Sequence, residues 1–369
     1  MKPFKPVKTA VIGCGMISEI YLKNCCALFN VLEVVGCSDI IPERSAKRAE
    51  QFSIQQMTNE EIFSDPEIEL VINLTYHTSH YPVSRAALLA GKHVYSEKMI
   101  GISFEEGQEL VKLAKEKNLA FCAAPDTFLG ASLQTARTVI DAGLIGTPVA
   151  ANAILARGYH HERWKKEPER RFAFCPGGGI IYDVGCYYLT ALVNLLGPVR
   201  RVCGFSQIRE ANGRRFMNPL NPQYGEIMPI ETTNNLAGTL EFQNGVLCSL
   251  LTTSESGAFN NSFILYGTEG RLVLSDPNEF EQSLLLTTKA GAEQIVPSTH
   301  SFRENCRGLG AADMAYAIRN GRKPRANGEN ALHTLEAAEG LVRSCETNTF
   351  HVMQTPAERA RPLRAGYTE

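Results

Sequence analysis

The chain has 369 residues, with 37 lysines and arginines against 39 aspartates and glutamates, a net charge of −2. Without a basic block, this balance excludes a nucleic-acid backbone or an anionic membrane surface as a partner held by charge, so any bound phosphate must be held by local geometry. Hydrophobic residues at 44% against 21% charged exclude a disordered chain, the length fits two domains at roughly 150 residues each, and no run of about 18 apolar residues predicts a membrane span.

No apolar stretch of signal-peptide length precedes the first glycine turn, and the eleven cysteines are scattered with no C-x-x-C spacing. These features predict free thiols and a cytoplasmic protein.

In chain order, residues up to about 125 alternate short β-type runs with helical segments. Strands are predicted at Val7–Ile12, Leu32–Ser38, Leu70–Leu74, His93–Ser96 and Leu119–Ala123. Helices are predicted after Gly13 as far as Asn30, at Glu43–Phe52 behind Pro42, at Ser79–Ala90, and from the capping pattern Ser103–Glu106 to about Lys117. Strand–helix alternation predicts a doubly wound parallel sheet of the Rossmann kind over residues 1–125. After Pro125 the pattern changes. A helix at Ala131–Asp141 precedes β-type runs at Val149–Ala156, Val199–Ile208, Asn235–Phe242, Val246–Thr253, Phe263–Tyr266, Arg271–Leu274 and Leu284–Thr287. Asn244 and Gly245 supply a hairpin signal between two of them. Helices are predicted at Ile180–Leu196, Gly310–Asn320 and Asn330–Glu346, and Asn212–Pro229 reads as a loop. Residues 126–369 are therefore expected to form an α+β domain with a large, mainly antiparallel sheet.

The first chemically informative segment is the turn Gly13, Cys14, Gly15, Met16, Ile17, Ser18, lying between the first strand and the first helix. Gly13 permits the tight turn, Gly15 admits the backbone close to a pyrophosphate, and the helix start offers N–H groups to the anion. A lone G-x-G also fits an ordinary strand-to-helix turn. The second strand ends at Asp39, where a carboxylate can accept hydrogen bonds from a ribose. Together these predict a nicotinamide dinucleotide, with NAD favoured over NADP because Asp39 would repel a 2′-phosphate. Arg44 lies nearby, either at the cofactor or as a solvated helix residue.

The chain resembles the glucose–fructose oxidoreductase / inositol dehydrogenase / MocA family in four stretches: Gly13–Ser18; Asn73, Leu74 and Thr75 with His80; Ala90–Met99; and Gly177–Tyr187. A later Tyr266–Gly270 turn agrees. The resemblance implies cofactor contacts from Met16, Ile17, Leu74, Thr75, His80 and Glu97. It implies a lysine at the end of the fourth strand that hydrogen-bonds the reacting hydroxyl, here Lys98, also beside the cofactor. The family's Glu-Lys-Pro reads Glu97, Lys98, Met99 in this chain, and its Asp with a His four residues on reads Asp183 and Tyr187. A phenol near a lysine cation can still hand on a proton. Tyr188 is expected in the core.

Two further features are candidate substrate contacts. Residues 160–164 contain His161 and the chain's single tryptophan, Trp164, which suits either a sugar ring or a surface anchor. His333 lies in a helix as a substrate contact or a structural residue. No ligand spacing supports zinc at His160, His161 and a cysteine. What the resemblance implies is an NAD-dependent oxidation of a secondary hydroxyl of a sugar, cyclitol or glycoside, with glycoside 3-dehydrogenases as the narrower expectation. The partner is then a small molecule, with no nucleic acid or membrane, and the enzyme a homo-oligomer built through its open sheet face. An oxidoreductase that retains and recycles its cofactor between two sugars, and a non-catalytic NAD(H) sensor, are the alternatives.

Overall fold

A computed structural model describes residues 5–158 and 174–365. It divides into two compact units, each made of separated stretches of chain. The first comprises Met1–Gln134, Thr299–Leu332 and Ala360–Glu369; the second comprises Thr135–Ser298 and His333–Arg359. The first of these breaks falls near the predicted division at residue 125. About thirty residues beyond 298, and the end of the chain, belong with the nucleotide-type unit.

The first unit contains β1 (Val7–Ile12), α1 (Ser18–Ala27), β2 (Leu32–Ser38), α2 (Pro42–Phe52), β3 (Gln55–Gln56), α3 (Asn59–Ser64), β4 (Leu70–Asn73), α4 (His80–Leu89), β5 (His93–Ser96), α5 (Phe104–Glu116) and β6 (Phe121–Ala123), with α6 (Ala131–Asp141) leading out of it. The six strands form one parallel sheet in the order β3-β2-β1-β4-β5-β6. Five of these strands follow the predicted runs. The sixth, β3, is two exposed glutamines that no apolar pattern could signal. β4 is buried at every residue, as a strand covered on both faces requires. The order reverses between β1 and β4, the kind of switch point at whose carboxyl edge open α/β sheets bind ligands.

The later chain joins this unit through α8 (Leu309–Asn320). Asp126, 1% exposed, accepts the N–H groups of Gly308 and Gly310 at 2.9 and 3.0 Å, placing a carboxylate at the start of α8. A Cβ on Gly310 would lie 2.7 Å from the Tyr95 hydroxyl, so only glycine allows this approach to β5. Farther along, fully buried Asp313 accepts from Arg322 and from the Arg325 backbone, each at 2.7 Å.

The second unit is a nine-stranded sheet. Its strands are β7 (Pro148–Gly158), β8 (Val199–Gln207), β11 (Asn235–Phe242), β12 (Leu247–Ser256), β13 (Asn260–Gly267), β14 (Gly270–Leu274), β15 (Leu284–Thr288), β16 (Glu293–Val296) and β17 (His351–Val352), while β9 (Arg214–Arg215) and β10 (Ile227–Met228) pair separately. The order is β16-β15-β14-β13-β7-β12-β11-β8-β17, antiparallel except where β7 and β12 run together. The β9–β10 pair lies inside the stretch expected to be a loop. Phe174, Phe216, Met228 and Ile230 give it a small core of its own, a fold too local for strand periodicity to reveal.

Register explains the core. Val202, Leu240, Cys248, Ala151, Leu265, Leu272 and Leu286 form one continuous row across seven strands, and all are buried. On the other face Phe205, Ala237, Leu251 and Ile154 align, with Phe205 80% exposed. α7 (Cys186–Leu196) and α9 (Gly328–Thr347) lie on the buried face. The Tyr188 ring packs on Phe263 at 5.7 Å, and glycine at 238 leaves room for Leu341. The predicted helix from Ile180 is in fact a wide π turn, Ile181–Gly185, that runs into α7.

Candidate active site

The glycine turn sits at the carboxyl edge of the parallel sheet. Gly13 has φ +101°, and a Cβ there would lie 2.5 Å from the Leu74 carbonyl carbon, so the turn is pressed against the end of β4. Gly15 is different: nothing lies within 4 Å of its Cβ direction. No side chain caps the N terminus of α1. Open space over a glycine beside an uncapped helix start is the cradle a pyrophosphate needs. Met16, 60% exposed, and half-buried Ile17 flank it.

Asp39 stands at the end of β2. One carboxylate oxygen accepts from Cys14 N–H at 2.6 Å and the other from Ile41 N–H at 2.8 Å. Each oxygen keeps lone-pair capacity for a ribose hydroxyl. Exposed Ile40 and Ile41 follow it, giving an apolar rim suited to an adenine. Arg44 is half-buried in the first turn of α2. The residues at hand fit a dinucleotide.

The ends of β4 and β5 are stitched together. Asn73 accepts from Thr75 N–H and Oγ1 and donates to the His80 carbonyl and to Ser84 Oγ. Leu74 is buried and Thr75 half-buried. Glu97 N–H donates to Asn73 O, while its carboxylate accepts from the Tyr21 hydroxyl at 2.7 Å and from Lys98 N–H at 3.0 Å. Burial, with Glu97 alongside, pushes the Tyr21 phenol well up, so it stays a donor. The Lys98–Met99 peptide is cis, at the position where the sequence lacks the proline. Lys98 itself is half-buried.

In the second unit, Asp183 is half-buried within the π turn and Tyr187 is nearly buried in the first turn of α7. π turns recur at functional sites because they displace side chains from the regular helical stripe. Gly179, at φ +99°, precedes the turn and accepts Asp183 N–H at 2.8 Å.

Residues 7–124 match the family model described as an oxidoreductase family NAD-binding Rossmann fold, and residues 133–273 match the GFO/IDH/MocA C-terminal domain. The chain belongs to the Gfo/Idh/MocA oxidoreductase family. It is 30% identical over 199 residues to an oxidoreductase of Schizosaccharomyces pombe, covering 52% of each chain, so the match spans about half that relative's length. It is 25% identical over 356 residues to the scyllo-inositol 2-dehydrogenase (NAD(+)) of Bacillus subtilis, covering 93% of this chain and 94% of that one. Levoglucosan dehydrogenase, solved with NADH and L-sorbose, shares the fold, with a TM-score of 0.81 at 18% identity over 95% of this chain and 100% of that one.

Within this Gfo/Idh/MocA chain, two expectations concern histidines. His333 is enclosed by protein groups. Its ring is fully buried, Nε2 accepts from Val199 N–H at 3.0 Å, and Nδ1 points to Thr355 Oγ1 at 2.9 Å. Both nitrogens are used, which fits the structural alternative of the two expected for His333. His80, expected among the cofactor contacts, is 2% exposed, with both ring nitrogens on backbone carbonyls. His161 and Trp164, with the zinc question at His160, lie outside the described residues.

Sequence reasoning missed three residues around the turn. Tyr21 holds Glu97 from 76 positions away. Arg48, buried on α2, donates to Ser18 Oγ at 3.2 Å and pairs with Glu19 at 2.9 Å, holding that carboxyl below its ordinary value. Asp126 anchors α8. The one available signal was the polarity of these residues on otherwise core-facing positions.

Proposed function

We propose that this protein is an NAD-dependent dehydrogenase that oxidises a secondary hydroxyl of a sugar, cyclitol or glycoside to a ketone. The observation that carries the reading is the carboxyl edge of the parallel sheet, where an open glycine cradle, Asp39 and Lys98 follow the ends of β1, β2 and β5 of one unit. NAD, when bound, accepts the hydride. Lys98 orients and polarises the substrate hydroxyl with its ammonium. Asp183 and Tyr187 take up the hydroxyl proton and pass it to water. The relative from Bacillus subtilis supports a cyclitol or sugar class; a glycoside oxidised at carbon 3 is the narrower form of the proposal.

The test is a substrate panel of hexoses, inositols and O- and C-glycosides with NAD and then NADP, followed by near-ultraviolet absorbance of the reduced nicotinamide. Turnover with one polyol class and NAD, falling by about 10²–10⁴-fold in Lys98→Ala with NADH still bound, is expected. Turnover without added cofactor would replace this reading with internal recycling. Full function in Lys98→Ala would replace it with the sensor.

The exposed row on the second unit's sheet fits burial by a second copy of the chain. A dimer or larger species by light scattering is expected, and a monomer at micromolar concentration overturns that. The eleven cysteines are all free thiols, which fits a reducing compartment such as the cytoplasm. Among the described residues no helix is long and apolar enough to cross a membrane.

A further inference from the structure

The backbone on both sides of Lys98 is pinned. Its own N–H donates to the Glu97 carboxylate at 3.0 Å, and the carbonyl of the next residue, Met99, lies 2.7 Å from His80 Nδ1. The second ring nitrogen, Nε2, lies 2.9 Å from Thr75 O, beyond the end of β4. One imidazole therefore spans the loops after β4 and β5, the two loops that carry Thr75 and Lys98.

Carbonyl oxygens only accept, whereas a neutral imidazole has a single N–H. His80 is 2% exposed, so the two carbonyls are the partners given to its ring nitrogens. In the neutral ring only one of the two contacts can be a hydrogen bond, and the shorter, to Met99 O, is the one assigned the proton. The charged ring would donate to both. The ionisable groups that act on it are Glu97, which favours the charged ring, and Lys98, which opposes it; burial outweighs both carbonyls and holds the ring below its ordinary value. The bond to Met99 O is thus the one that persists near neutral pH.

We propose that His80 is a positioning residue for Lys98: through Nδ1–H it holds the Met99 carbonyl and so fixes the direction from which the lysine amine meets the substrate hydroxyl. Both polar edges of the ring are engaged by backbone carbonyls, which leaves neither nitrogen for a cofactor hydrogen bond. This inference rests on the dehydrogenase reading only for what Lys98 does, not for how it is held.

Leucine at 80 keeps bulk but removes the donor, and glutamine restores an N–H. The experiment compares wild type, His80→Leu and His80→Gln in three measurements: NADH affinity, kcat and KM, and the pH profile of Lys98 acylation by an amine-selective reagent, read by peptide mass spectrometry. Expected for His80→Leu is a fall of about tenfold or more in kcat, NADH affinity within about threefold of wild type, and a displaced Lys98 labelling profile. His80→Gln should recover most of both losses. A role limited to stability would lower the melting temperature and leave the labelling profile of the folded protein unmoved. Wild-type kcat and labelling in His80→Leu, or a glutamine variant no better than leucine, overturns the proposal. If the wild type oxidises no polyol at all, the dehydrogenase reading fails, and the labelling profile alone still decides His80. If His80→Leu does not fold, an unshifted profile in His80→Gln supports the proposal and a profile shifted as far as that of a second donorless variant, His80→Phe, opposes it.

Discussion

Gly13 and Gly15 stand two residues apart and are glycine for opposite reasons. At Gly13 the protein itself leaves no room, because φ is +101° and the Leu74 carbonyl blocks a side chain. At Gly15 the protein leaves room that it does not use. Gly13→Ala should therefore cost roughly 1–3 kcal/mol of stability or more. Gly15→Ala should fold with an unchanged melting temperature yet bind NADH about tenfold more weakly or worse, about 1.4 kcal/mol. Fluorescence titration and thermal melts on the two variants check both, and equal NADH affinity in wild type and Gly15→Ala would sink the cradle assignment. The motif and the Asp39 spacing were legible in the sequence because both are local to one strand–turn–helix unit. The Tyr21–Glu97 bond was not, since the 75 intervening residues carry no trace of it. His80 and His333 show a different limit: sequence marks a histidine as chemically able, while burial and neighbouring carbonyls decide what it is engaged in.

Among the elements, the strands that alternate or run apolar were readable, and their core rows follow from period-two patterning. What escaped was structure made by few residues or by polar ones. β3 has two glutamines, β9 and β10 have two residues each, and α3 opens on a capping box at Thr58 and Glu61 whose signal was present but unread. The π turn before α7 was invisible because an apolar helix and an apolar π turn share one composition. α8 was predicted as a helix, but not as a partner of the parallel sheet. That attachment hangs on Asp126. Asp126→Ala leaves two buried N–H groups without an acceptor and should cost about 1–3 kcal/mol. Asp126→Asn keeps an acceptor oxygen and should cost less. Urea midpoints at constant slope would measure both; equal midpoints for alanine and wild type would mean that α8 is held by its apolar contacts alone.

At the level of the whole molecule, acid sensitivity follows from three histidines, of which His80 and His333 are buried and His93 half-buried. Burial is the largest influence on His80, His93 and His333, and pushes each below its ordinary value. His93 Nδ1 accepts from Ala120 N–H and His333 Nε2 from Val199 N–H, so both rings are held neutral in the fold. The unfolded chain binds protons at these sites more readily than the folded one. Stability is then complete above about pH 6.5 and is lost as pH falls through the depressed folded values. A melting temperature that drops between about pH 7 and pH 5 is expected; a flat or rising one would contradict it.

The first unit's discontinuity also sets an order on how the molecule is made. Its sheet is complete by Ala123, but its second stretch begins only at Thr299. At about 5–20 residues per second, a ribosome needs roughly 10–30 s to make the stretch between residues 134 and 299. During that interval the nascent chain carries β5 and β6 without α8, and the Asp126 carboxylate without the helix start it is shaped to hold. A strand edge lined by Tyr95, Phe121 and Cys122 is therefore available to chaperones, or to a neighbouring nascent chain, until the last third of synthesis brings Gly308 and Gly310 into reach.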